Sequence, residues 1–98
     1  MTTNVKKTGT DVLIEIEGRV DTMTAPELEA TFKNELTDAT SLELDLAKTE
    51  YISSAGLRVF LATQKMMNKQ GKMVLKNVRP EVMEVFEVTG FVDILTIE

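Results

Sequence analysis

Short segments with a two-residue apolar rhythm alternate along the chain with longer segments of helical spacing, and this alternation limits the fold more than any other feature of the sequence. Val12, Ile14 and Ile16 alternate with Leu13, Glu15 and Glu17. With residues 5–7 across the turn Thr8-Gly9-Thr10-Asp11, this predicts an amino-terminal hairpin. A helix over 25–39 follows, opened by Thr24 as cap, Pro26 in the first turn and Glu27 as the far side of a capping box. Leu28, Phe32, Leu36 and Ala39 form its apolar stripe.

Residues 41–46 alternate Leu42, Leu44 and Leu46 with Glu43 and Asp45 and predict a strand. A loop through Lys48, Thr49 and Glu50 leads to a second helix over 54–69, stopped by Gly71. Residues 72–78 read as a further strand. Pro80 then starts a third helix with Val82, Val85 and Phe86 on its buried side. Thr89-Gly90-Phe91 closes that helix in the manner of a left-handed glycine cap, and a last strand is predicted over 94–97.

Strands that follow one another through helices pair in parallel by right-handed crossovers. The predicted architecture is therefore α/β: a mixed, mostly parallel sheet with an N-terminal hairpin and helices packed on it, with no internal repeat. At 98 residues the chain is one domain long, and no linker-like stretch divides it, so residues 1–98 are expected to form one domain. A domain of this size has little room for an internal substrate cavity, which favours work done at the surface.

Histidine and cysteine are both absent. Imidazole bases, thiol nucleophiles, disulfides and His- or Cys-ligated metal sites are thereby excluded, and no catalytic residue, cofactor or metal site is assigned. Sixteen acidic against eleven dispersed basic residues give a net charge of −5, which opposes a nucleic-acid partner. No apolar run reaches the length of a membrane span, and the first residues lack the pattern of an export signal, so a cytoplasmic protein is expected.

The stretch Tyr51-Ile52-Ser53-Ser54-Ala55-Gly56-Leu57-Arg58 joins a strand end to a helix start, the place where open α/β sheets carry their functional groups. Two hydroxyls there meet unpaired backbone N–H groups and the positive end of the helix dipole. On spacing alone the plainer reading is that serine is a helix cap, contributing about 1 kcal/mol.

The whole chain resembles the bacterial anti-sigma-factor antagonists of the STAS superfamily. Their motif runs Asp, acceptor Ser, Ser or Thr, then Gly-Leu, and Ser54, Gly56 and Leu57 match it. Gly18, Val20 and Asp21, Leu44-Asp45-Leu46, and Phe86 with Thr89-Gly90-Phe91 are further matches. The chain departs from the motif at Ser53, where the family has an acid, and at Ala55, where it has a hydroxyl. The resemblance implies that Ser54 is the phosphoacceptor, with Ser53 as the alternative, and that Asp21, Ser53, Ser54, Gly56 and Leu57 belong to the partner-binding surface. Arg58 is added to it because a cation in a first helical turn opposes the dipole, which an external acidic partner would explain. It implies two partners, an anti-sigma factor that is also a serine protein kinase and a metal-dependent serine phosphatase that reverses the modification.

Each of these residues also has a plainer role. Asp21 suits a turn or cap equally well, and Arg58 suits a solvated side chain, although a cation in a first helical turn opposes the dipole. Met23, Met66, Met67, Met73 and Met83 read mostly as core, and Asp45 as a structural partner on a sheet face. Two other functions fit the same residues: a STAS scaffold or adaptor with no phosphorylation switch, and an enzyme or phosphocarrier using Asp21 and Asp45. The missing His and Cys and the lack of a glycine-rich phosphate loop weigh against the second.

Overall fold

Alternation of apolar side chains sets the sheet. In the computed structural model, which describes residues 1–98, Val12, Ile14 and Ile16, then Leu42, Leu44 and Leu46, then Met73 and Leu75 are all buried, while Glu15, Glu43 and Lys76 between them stay partly open to water. These runs are strands β2 (Asp11–Val20), β3 (Ser41–Ile52) and β4 (Lys72–Lys76). Strand β1 (Thr2–Thr8) pairs antiparallel with β2 through the Gly9-Thr10 turn, where Gly9 takes a φ of +63°. Strands β2, β3 and β4 run parallel, and the order across the sheet is β1-β2-β3-β4.

Helices α1 (Ala25–Glu35), α2 (Ser54–Gln70) and α3 (Pro80–Thr89) supply the crossovers and the third helix expected after β4. Phe32, Phe60 and Phe86, one from each helix, pack as tilted ring pairs with both centroid separations at 6.4 Å and tie the three together over the buried face of the sheet. The other face carries ion pairs between neighbouring strands, Lys6 with Glu15 at 3.6 Å and Lys76 with Glu43 at 3.2 Å. All 22 buried apolar residues fall in one cluster, so the α/β domain has a single core. No helix is long and apolar enough to cross a membrane.

Four expectations need correction. The last strand shrinks to one bridge, Leu75 with Ile97. After Gly90, in the left-handed region at φ +80°, Phe91–Asp93 turns as a 3-10 helix, and only the final residues reach the β4 edge. Helix α1 stops at Glu35 rather than at residue 39, because Gln70 Nε2 donates to the carbonyls of Leu36 and Ala39 at 2.7 and 2.6 Å and holds that segment as a turn. Strand β3 continues through Lys48, Thr49 and Glu50 to Ile52, where a loop was expected. Irregular register against β2 allows this, and the Thr49 hydroxyl donates to the Ile16 carbonyl at 2.7 Å in a buried bond. Thr24 precedes α1 but does not cap it with its side chain.

Candidate functional site

Three chain segments meet beyond the carboxyl ends of β2 and β3. The backbone N–H of Ser53 donates to the Val20 carbonyl at 2.8 Å, which joins the two strand ends just where α2 begins. Ser53 is extended at φ −89°, ψ 176°, and is the helix cap: its Oγ accepts a long bond, 3.4 Å, from the Gly56 N–H. Ser54 is therefore the first helical residue. Its side chain is exposed and makes no hydrogen bond within the protein.

Gly56 explains how the helix comes this close. A Cβ there would lie 2.7 Å from Val20 Cγ1, 3.1 Å from Ile52 Cγ2 and 3.2 Å from the Val20 carbonyl oxygen, so only glycine lets the first turn of α2 rest on both strands. Leu57 follows into the core at 5% exposure. Gly56 and Leu57, expected on the partner-binding segment, are thus buried supports that aim their neighbours outward. Arg58 is exposed, one turn after Ser54.

The Asp21 carboxylate closes the turn that leads into α1. Its Oδ1 accepts from the backbone N–H of Met23 at 3.0 Å and of Thr24 at 3.1 Å, and from the Thr24 hydroxyl at 3.2 Å. Thr24 Oγ1 accepts in turn from the Asp21 N–H at 2.9 Å, and its single proton is shared between the Asp21 carboxylate and the Arg19 carbonyl, the latter also at 2.9 Å. The Thr24 N–H is the largest cause of a lowered Asp21 pKa; desolvation opposes it, and the Met23 N–H, the Thr24 hydroxyl and the Arg19 charge add to it.

A pH dependence follows with a definite sign. A carboxylate whose folded-state pKa lies below its ordinary value, here 3.8, stabilises the fold fully above that value, and the contribution is lost as pH falls through the folded-state value. Wild type is expected to unfold at a higher temperature than Asp21→Asn at pH 7, with the gap closing as pH is taken down through the carboxylate range. A gap that keeps its size in acid would contradict the assigned hydrogen bonds.

Sequence reasoning missed three neighbours of this loop. Met23 is 86% exposed rather than core. It precedes the helix, so helical periodicity carries no information about it. Of the other methionines singled out, Met67 and Met73 are buried and Met66 and Met83 half-buried, as a core reading requires. Arg19 and Tyr51 are cross-strand partners, with the guanidinium 4.4 Å from the ring centroid and Arg19 Nε 3.8 Å from Asp21 Oδ2. Asp45 stands away from them, its Oδ1 accepting from the Ala47 N–H at 3.0 Å and Asn77 Nδ2 at 3.3 Å, a structural use.

An open groove of about 260 Å³ runs between the start of α1 and the start of α2, with Thr22, Ala25, Pro26 and Glu29 on one side and Ala55 and Arg58 on the other. It is shallow and partly apolar. Nowhere does the chain gather three His, Cys, Asp or Glu side chains in a position to hold a metal ion. The arrangement is that of a surface for another macromolecule. Ser54 is not among the residues that line this groove; its exposed hydroxyl stands at the start of the same helix as Arg58, next to Ala55.

Comparison with known proteins agrees with this fold. The family model for the STAS domain matches residues 2–98. BtrV of Bordetella bronchiseptica is 39% identical over 84 residues, covering 84% of this chain and 72% of that protein. The anti-sigma-B factor antagonist of Bacillus subtilis is 33% identical over 95 residues, covering 96% of this chain and 87% of that one. Among solved structures, an anti-sigma factor antagonist from Mycobacterium paratuberculosis superposes with a TM-score of 0.88 at 25% identity, over 98% of this chain and 83% of the other. Matched along nearly its whole length in sequence and in fold, the chain belongs to the STAS-domain family of anti-sigma-factor antagonists.

Proposed function

We propose that the protein binds an anti-sigma factor that is also a serine protein kinase, and that phosphorylation of Ser54 by that kinase ends the binding. The observation that carries this reading is the division of labour between two adjacent serines. Ser53 is engaged as the cap of α2, whereas the Ser54 hydroxyl is exposed, unbonded and free for a kinase to reach. In the transfer, the Ser54 oxygen bonds to the γ-phosphorus of ATP, the bond from that phosphorus to the β–γ bridging oxygen breaks, ADP leaves and the hydroxyl proton passes to a base of the kinase.

The consequence is electrostatic. A phosphoserine carries about 1.5 to 2 negative charges and three strong acceptor oxygens. At the first turn of a helix the domain accommodates it, since the macrodipole favours an anion there. A partner surface shaped around a neutral hydroxyl must instead desolvate or repel a dianion. A metal-dependent serine phosphatase then returns the protein to its binding state. The protein itself acts as a cytoplasmic, non-enzymatic binding module in this cycle.

Support for the partner class comes from the relatives, among them the anti-sigma-B factor antagonist of Bacillus subtilis. Two structures of SpoIIAA, one unphosphorylated and one phosphorylated, share the fold with TM-scores of 0.83 and 0.76 at 17% identity. The test is incubation of wild type, Ser53→Ala and Ser54→Ala with ATP and the candidate kinase, read by mass spectrometry. Loss of the added phosphate in Ser54→Ala alone is expected. Persistence there with loss in Ser53→Ala would move the site, and no reaction at either serine would favour a scaffold without a phosphorylation switch.

A further inference from the structure

Arg58 is the one arginine of three that has no carboxylate. Arg19 pairs with Asp21 at 3.8 Å and Arg79 with Glu81 at 2.7 Å, whereas Arg58 takes part in none of the six ion pairs. It sits where an unpaired cation is disfavoured, in the opening turns of α2, and that helix has no acidic residue in its first turn to offset it. Glu29 lies across the groove from Arg58 but pairs with Lys33 of its own helix at 3.4 Å.

Residues four apart on a helix share a face, with Cβ atoms about 5–6 Å apart. Ser54 and Arg58 have that spacing, and both are exposed. Helical side chains lean toward the helix N-terminus, so this spacing puts a side chain as long as that of Arg58 within reach of a group carried on Ser54. A guanidinium offers a planar fork of donors that matches phosphate oxygens two at a time.

We infer that Arg58 is the internal partner of the phosphate on Ser54: once that residue is modified, the guanidinium folds back one turn and holds the phosphate bidentately against α2. This rests on the assignment of Ser54 as the phosphoacceptor. It adds a second effect to the switch, because the modification both places a dianion on the partner surface and withdraws an exposed cation one turn away on the same helix. The pairing is between two side chains and would be absent from a chain with a short or neutral residue at position 58, whatever its helix dipole.

Phosphoserine installed at position 54 during translation, with no kinase involved, provides the test. The second ionisation of its phosphate is followed by phosphorus NMR in the otherwise native chain and in Arg58→Gln and Arg58→Lys. A guanidinium in contact favours the dianion, so the apparent pKa is expected about half a unit lower with Arg58 than with Gln, with Lys in between, and the difference should shrink in high salt. Coincident titration curves for Arg58 and Arg58→Gln overturn the pairing. So does a difference that high salt leaves unchanged, since that would mark an indirect structural effect. Neither result bears on whether a kinase modifies Ser54, and failure of the kinase reaction leaves this titration untouched.

Discussion

Protein carrying Ser54→Glu is expected to lose at least about a hundredfold in affinity for the kinase-type anti-sigma factor, a loss of about 3 kcal/mol, while unfolding at nearly the wild-type temperature. The two halves have separate causes. The Ser54 side chain is exposed and makes no bond that the substitution could remove, and a carboxylate in the first helical turn is favoured by the dipole, so the fold has no reason to weaken. The interface differs, because a charge buried against a surface that accepted a neutral hydroxyl has no partner there and keeps its full desolvation cost. Ser54→Ala should bind like wild type and resist phosphorylation. Ser53→Ala should bind but lose about 0.5–1 kcal/mol of stability with the cap, toward the low end because the bond is long. Calorimetric binding to the purified kinase, with thermal unfolding of each variant, checks the set. Wild-type affinity in Ser54→Glu would remove the phosphorylation switch and leave the scaffold reading.

Most of this fold was legible because the pattern and the packing agree. The leucines of β3 and the stripe on α1 face the core as their periodicities require, and Pro26, Pro80 and Gly90 stand at the helix ends they signal. Legibility failed where the backbone departs from a regular period. In the second half of β3 the buried residues are Leu46, Thr49 and Ile52, three apart, because the irregular register rotates the strand. Exposed Lys48 and Glu50 then read as loop.

The site was legible in place and less so in roles. Its position beyond the strand ends follows from element order alone. Which of Ser53 and Ser54 caps the helix depends on where α2 takes its first helical dihedral, which no residue type announces. The same holds for Asp21 and Thr24, two residues suited to turns, of which the loop uses the carboxylate to close its own. Gly56 and Leu57 were visible as a motif, but their burial depends on how near β2 approaches α2, a contact between residues far apart in the chain.

The largest effect on stability is expected at the opposite end of α2. A Cβ on Gly71 would come within bonding range of the Thr40 backbone, 1.8 Å from its carbonyl oxygen and 2.5 Å from its carbonyl carbon. Backbone cannot rotate aside as a side chain can. The turn that ends α2 is fastened to the turn between α1 and β3 by the Lys72 N–H on the Thr40 carbonyl at 3.1 Å and by Gln70 on the Leu36 and Ala39 carbonyls. Gly71→Ala must therefore push two turns apart, stretching those bonds and opening the core beneath Ala39 and Leu42. The cost should be about 3 kcal/mol or more, which in a domain this size lowers the unfolding temperature by roughly 10–20 °C. Gly9→Ala is the matched control: its Cβ would meet nothing within 4 Å, so only the left-handed φ is penalised, by about 1 kcal/mol. Helix α2 has 17 residues and is about 25 Å long, so Ser54 lies far from the disturbance. The fraction of Gly71→Ala that remains folded at low temperature should bind the anti-sigma factor with wild-type affinity. Unfolding of Gly71→Ala within about 1 kcal/mol of wild type would mean that the two turns are not packed as described.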